Sequence, residues 1–517
     1  MVVNKNEKLA VNKDFNRSSL TGMKSNKTEN TKSAVLQKNL SPMNVWAIAF
    51  GCIVGWGSFI NPGKKFLPNS GVAGTAIAMA LGALVMIIIA FSYAYMVPKY
   101  PQAGGEFTFT KMCFGKNMAF LCGWFLVVAY LTNVPMNSTA IALIVDGLDG
   151  PADILKFGFH YSVAGFEIYF GEMLLAIAIL LLFGILNILG VKKAGFIQNI
   201  LSSLLIVCIL SLTIAGLVSA KAKGINMQPI WGFNKSAAMA AGATGSEISQ
   251  YAHTGTKGIM SAILATFAIA PWAYVGFDSI PQAAEEFNFS LKKVSGIMIV
   301  AIIFGCFVYT SNNTVSAAVL ANWPERVMAG EWVLLIAAEE LLGIGGKILV
   351  GMGVSCAVLS GIMGFYLTSS RLMYSMSREG YLPQWFGKID AKYGTPKNAM
   401  IFCIIVSLSG PILGREALGW FVDMSAIGAS IGYFFTCAST LVTLKIDKDG
   451  SVFSKPAAIL GVIFSITFMI LQLVPIPALP GVHFCKESYI MLIVWSAMGA
   501  VFYIKQHKFF REKEERI

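Results

Sequence analysis

Two short stretches hold the groups in this chain most able to do chemistry. They read Ile53-Val54-Gly55-Trp56-Gly57-Ser58 and Pro271-Trp272-Ala273-Tyr274-Val275-Gly276-Phe277-Asp278. Each lies inside a long apolar run and breaks it with small or helix-disrupting residues. Unwound backbone at membrane depth survives only where it lines a protein cavity or a ligand. The chemistry on offer is therefore that of main-chain groups. Unwinding near Gly55 exposes N–H groups at the start of a second half-helix, where the positive end of the helix dipole favours a carboxylate. Carbonyls ending the first half, from about Ile53, and the facing break near Trp272 can accept hydrogen bonds from an ammonium. A ligand carrying both charges is complemented without any charged side chain.

Side chains near the breaks add a few groups. Asp278 is a carboxylate in an apolar helix, costing about 2.5–3.5 kcal/mol if charged at mid-bilayer. Such a residue serves as a proton relay, an amine contact or a gate, or else caps N–H groups freed by the break. Asp423 is a second, weaker candidate of this kind. Trp56 either packs on a neighbouring helix or fills part of the pocket and limits ligand size. Nine cysteines are scattered with no CxxC spacing, and four histidines sit in loops or the tail. The cysteines read as small packing residues, so neither a metal site nor a cofactor is expected. No phosphate-binding loop appears either.

The elements that must position these groups follow from composition. Of 517 residues, 56% are hydrophobic and 13% charged, and mean hydropathy is +0.67. A soluble chain carries about a quarter charged residues, so this one belongs in a lipid bilayer. About twelve apolar runs are long enough to span. The expected class is an all-α membrane protein. Residues 1–41 carry eight Lys/Arg among Asn, Ser and Thr and read as a disordered basic tail, with no cleavable signal peptide before the first span. Residues 42–445 form ten helices, 446–505 two more, and 506–517 a second tail. Net charge is +12, but the Lys/Arg concentrate on one set of loops. Positive-inside orientation accounts for that with both tails cytoplasmic, and no nucleic-acid partner is needed. A pair of interrupted helices in corresponding halves points to the substrate site of a secondary transporter.

With these segments in hand, the sequence resembles the amino acid–polyamine–organocation (APC) superfamily of permeases. The likeness is carried by Gly55-Trp56-Gly57 in the first span and by Gly104-Gly105-Glu106-Phe107 with Gly123-Trp124 around the third. It continues in Trp272 through Glu286 in the sixth, and in Ser370-Arg371 with Glu379 through Pro383 after the eighth. The resemblance implies a 5+5 inverted repeat with broken helices 1 and 6. It also implies a mid-membrane site between a bundle of helices 1, 2, 6 and 7 and a scaffold of 3, 4, 8 and 9. Trp56 departs from the family, where a small residue separates the glycines.

On that reading the ligand is an amino acid or a related amine, moved across the cytoplasmic membrane by alternating access, and the chain is not an enzyme. The alternatives are a nutrient sensor that keeps the fold and an amino acid/polyamine exchanger. Substrate-binding positions are Ile53, Val54, Gly55, Trp56, Gly57, Ser58, Asn133, Trp272, Tyr274, Asp278, Phe365 and Ser425. Trp272 matches the family's closing aromatic, with Phe365 and Tyr433 as further gate positions. Tyr130, Asn133, Ser425 and Tyr433 fall at the distal pocket, where each equally serves to tie two helices together. Glu285, Glu286, Arg371 and Arg378 border the cytoplasmic mouth. Some members carry a lysine in helix 5 in place of a sodium ion, and counting from Gly190 puts Leu205 there, beside Ser202 and Ser203. Sodium held by helix 1 carbonyls and Ser355 or Ser360, a proton through Asp278, and simple exchange all stay open.

Overall fold

The computed structural model describes residues 36–149, 153–163, 166–219, 227–320, 322–414, 417–476 and 483–514. Most of the basic tail expected over residues 1–41 lies outside them. Among the described residues the sheet is a single antiparallel hairpin, β1 (His160–Val163) with β2 (Phe166–Tyr169). The rest of the regular structure is helical, as the apolar runs require.

The first interrupted segment comprises α1 (Pro42–Ile53) and α2 (Gly57–Asn61), continued through a π-helical turn, Pro62–Phe66, into α3 (Leu67–Met96). Then follow α4 (Gly105–Leu131), α5 (Asn133–Asp149), α6 (Phe170–Ile188) and α7 (Val191–Val218). The second interrupted segment comprises α8 (Gly255–Phe267), α9 (Ala270–Ala273) and a 3-10 stretch, Phe277–Glu286. Beyond it run α10 (Val294–Val319), α11 (Val333–Leu342), α12 (Ile344–Arg378), α13 (Lys397–Ser407), α14 (Ala417–Asp447), α15 (Ser454–Leu473) and α16 (Lys486–Glu514).

Among the described residues nine helices are long and apolar enough to cross a membrane, or ten if the bent segment from α8 to Glu286 counts as one. Two further apolar helices, Pro42–Ile53 and Lys397–Leu413, are shorter. The first of these is short because the helix stops at its glycine break.

Local sequence explains the entry of α1. Ser41 Oγ accepts the Asn44 N–H at 3.3 Å while Asn44 Oδ1 accepts the Ser41 N–H at 3.0 Å, a reciprocal cap with Pro42 at the first helical position. Packing between helices relies on small residues that let backbones approach. Gly428 of α14 faces the Phe125 carbonyl and Ala129 of α4, and Gly82 of α3 faces Ala270 of α9. α12 packs against α1, α5 and α7, which holds the first break against the middle of the molecule.

The side of the molecule where α1 begins is closed. Leu36 and Leu40 are buried. The Leu40 N–H donates to the Glu286 carbonyl at 2.9 Å, and the Asn288 N–H donates to the Leu40 carbonyl at 3.0 Å. The hairpin lies at the far end, between α5 and α6.

Candidate functional site

The first break is a genuine interruption of the helix. α1 ends at Val54, with φ −96° and ψ 85°, and helical geometry resumes at Trp56. The Ser58 N–H reaches the Gly55 carbonyl at 3.2 Å and the Phe59 N–H the Trp56 carbonyl at 3.0 Å. Among the described residues the N–H groups of Gly55, Trp56 and Gly57 have no backbone acceptor, and they open the second half-helix. The Ile53 carbonyl receives the Tyr309 hydroxyl at 3.2 Å, the Ser58 carbonyl the Asn312 amide at 3.0 Å, and the Gly55 carbonyl the Ser58 hydroxyl at 2.9 Å. Tyr309 and Asn312, both on α10, are not among the positions singled out from the sequence.

The second break lies against the first. After α9 the chain turns through Tyr274 to Gly276, which has φ +139°, before the 3-10 stretch begins. A Cβ on Gly276 would sit 2.6 Å from Cys52 Cβ and 2.7 Å from the Ile53 nitrogen, so only glycine allows this approach. Asp278 Oδ1 accepts the Gly276 N–H at 2.7 Å. Its carboxylate therefore caps the backbone that the break sets free.

Trp272 lies directly over Gly57, where a Cβ would strike its ring. The Trp56 and Trp272 rings stand 6.0 Å apart at 54°. Above Trp272 a cavity of about 730 Å³ rises toward the far side, with Lys65, Lys235, His253, Asp423 and His483 on its walls. Lys235 also donates to the Val327 carbonyl at 2.8 Å, and Asp423 accepts the Ser488 hydroxyl at 2.7 Å. Burial lowers the affinity of both Lys235 and His253 for their protons.

Other expected positions are distributed around this centre. Asn133 Nδ2 donates to Ser425 Oγ at 2.8 Å and to the Ala129 carbonyl at 2.6 Å, so two of the four residues named for the distal pocket meet and join α5 to α14. Tyr433 stacks on Phe277 at 5.5 Å, and its buried hydroxyl has no hydrogen-bond partner among the described residues. Tyr274 turns toward α3, donating to the Met79 carbonyl at 2.8 Å. Phe365 is buried on α12, beside Gly364, which faces Cys52 and Ile48 of α1. Val54 is fully buried at the break itself.

The opposite mouth is shut by two ion pairs. Arg371 meets Glu286 at 2.7 Å with both side chains wholly buried, and Arg378 meets Glu285 at 2.7 Å near the surface.

Beside α1, Leu205 is buried on α7, and two other residues of the same helix reach across to the α1 backbone. Gln198 Nε2 donates to the Ala47 carbonyl at 3.0 Å and to Ser360 Oγ at 2.5 Å, and Ser202 Oγ donates to Ala47 at 3.1 Å. Among the described residues no three His, Cys, Asp or Glu side chains converge as metal ligands would.

The most consequential group missed in the sequence is Glu106, read there only as part of a glycine motif. It is fully buried at the start of α4 and accepts hydrogen bonds from Tyr93, Tyr130 and Gln282. A carboxylate one residue inside an apolar helix was the available signal.

Comparison with known proteins adds a family. The model for the amino acid permease family matches residues 40–500. The chain is 24% identical over 416 residues to the mitochondrial cationic amino acid transporter 3 of Arabidopsis thaliana, covering 80% of this chain and 62% of that one. It is 28% identical over 375 residues to the large neutral amino acids transporter small subunit 2 of Homo sapiens, covering 72% and 64%. Against the methylthioribose transporter of Bacillus subtilis it is 23% identical over 492 residues, covering 92% and 94%. The first two matches thus span less than two thirds of those relatives' length.

Proposed function

The chain belongs to the amino acid permease family, and from that premise we propose that it is a secondary transporter of an amino acid or a related compound. Its carboxylate docks on the free N–H groups of Gly55, Trp56 and Gly57, at the positive end of the second half-helix. Its ammonium meets carbonyls at the facing break, with Trp272 closing over it. The observation that carries this reading is the contact of the two breaks through Gly276 and Ile53. Such backbone is tolerated in a membrane only beside a cavity or ligand.

The direction of opening supports alternating access. A cavity runs from the far side down to Trp272, while two ion pairs and the Leu40 contact close the other side. Transport then consists of opening the Glu286–Arg371 side while Trp272 and its neighbours close the far one. In the cell the closed side faces the cytoplasm and the membrane is the cytoplasmic membrane. The placement of basic loops supports that orientation.

Purified protein in proteoliposomes tests this. Labelled amino acids are expected to enter saturably and to be competed by unlabelled substrate, whereas binding without accumulation would favour a sensor.

A further inference from the structure

Glu106 of α4 and Asp278 of the second break are joined by one phenol. Tyr130 Oη lies 3.2 Å from Glu106 Oε1 and 3.0 Å from Asp278 Oδ2. Both carboxyl groups are fully buried, and among the described residues neither forms an ion pair. The buried arginine of this region, Arg371, is committed to Glu286. Two uncompensated negative charges in so apolar an interior are strongly disfavoured.

Glu106 Oε1 receives the Tyr93 hydroxyl at 2.7 Å and Oε2 the Gln282 amide at 2.5 Å. Asp278 Oδ1 receives the Gly276 N–H at 2.7 Å. Tyr130 owns a single proton but faces an oxygen of each carboxyl group. If it donates to one, the other presents lone pairs to lone pairs unless it carries a proton of its own. Among the described residues the titratable groups that face the pair supply no cation: Cys52 of α1, Tyr93 of α3, Cys122 and Tyr130 of α4, and Tyr433 of α14.

We propose that Glu106 and Asp278 hold one proton between them, exchanged through the Tyr130 hydroxyl, and that this pair is a proton-binding site of the protein. In one arrangement Asp278 Oδ2–H donates to Tyr130 Oη, which donates to Glu106 Oε1. Transfer passes the Asp278 proton to the phenol oxygen while the phenol's own proton moves to Glu106. The phenol ends neutral, and the negative charge has moved from Glu106 to Asp278. Asp278 also holds the Gly276 N–H, and Gly276 rests on Ile53. Occupancy of the proton site is thereby tied mechanically to the geometry of both breaks. Use of the proton to drive uptake rests on the transporter reading; the site itself does not.

Infrared spectroscopy of the purified full-length protein in nanodiscs reads the site without any substrate. At neutral pH the wild-type spectrum is expected to show the carbonyl stretch of a buried protonated carboxylic acid. Glu106→Gln and Asp278→Asn should each abolish it, because either partner alone is left ionised among its hydrogen-bond donors. Tyr130→Phe should keep the band but shift its frequency, as the shared donor is lost. Absence of the band from wild-type protein overturns the proposal even if no variant folds. So does a band that survives either single carboxylate substitution in well-folded protein. Failed uptake with an intact band pattern would instead count against the transporter reading.

Discussion

Gly276 rests on Ile53: the position a Cβ would occupy on Gly276 lies 2.7 Å from the Ile53 nitrogen, at a backbone φ of +139°. Residues from two distant stretches of chain thus meet at the point where each helix is broken. The close approach and the backbone angle both require glycine, and both are lost together by adding one methyl group.

Gly276→Ala should therefore destabilise the protein by about 1–3 kcal/mol, the usual cost of forcing a side chain into a sparsely allowed conformation. Gly296 is the control. It has no neighbour where its Cβ would be, and Gly296→Ala should leave stability unchanged or slightly raised. Thermal unfolding followed by tryptophan fluorescence compares the two. Equal melting temperatures for both variants would mean the breaks do not touch.

Arg371→Met leaves Glu286 charged and alone in the interior, and the expected loss is about 3–5 kcal/mol. Replacing both residues with apolar ones of similar size should recover much of it. The accessibility of a cysteine placed at the closed mouth gives a second readout. It should rise in Arg371→Met only if the pair holds that side shut.

Asn133 and Ser425 are bonded to each other at 2.8 Å, so a role as an interhelical tie can be separated from a role in binding. A double-mutant cycle with alanine should give a coupling of about 0.6 kcal/mol, up to roughly 1.7, typical of membrane hydrogen bonds. Ligand affinity should fall by less than tenfold. A large loss of affinity with no coupling would place them on the substrate instead.

His253 lies outside the membrane-spanning helices, on the wall of the far-side cavity. Burial lowers its proton affinity from the ordinary value of 6.5. With the folded value depressed, the unfolded chain binds the proton more readily. This residue therefore weakens stability as pH falls below 6.5 and has no effect well above it. His253→Gln should gain stability relative to wild type at pH 5.5 and match it at pH 8, checked by melting curves at the two values.

The breaks themselves were legible in the sequence because glycine and proline interrupt an apolar run in a way that few other patterns do. Bilayer physics also leaves few explanations for the interruption. Asp278 was legible for a similar reason, since a lone carboxylate in a span stands out. Its partner was not. Glu106 sits beside Gly104 and Gly105 at the edge of a polar connection, and only the fold shows that α4 carries it inward to meet Tyr93, Tyr130 and Gln282. Likewise, Gln198 could not be placed against Ala47 by counting along α7, because contact between helices depends on rotation about the axis. Tyr274, beside the break in sequence, turns instead to α3. Periodicity says which residues are buried more readily than it says what they face.

The central claim is that main-chain groups at two touching breaks bind a zwitterion beneath Trp272. Ligand-induced thermal stabilisation of wild type and Gly57→Leu tests it most directly, because the added side chain collides with Trp272 and fills the break. A ligand at a hundredfold excess over its Kd adds about 2.7 kcal/mol to folded-state stability. At least one α-amino acid, or a related zwitterion, should raise the melting temperature of wild type. Its decarboxylated amine should not, and well-folded Gly57→Leu should show no shift. An undiminished shift in well-folded Gly57→Leu would contradict the account.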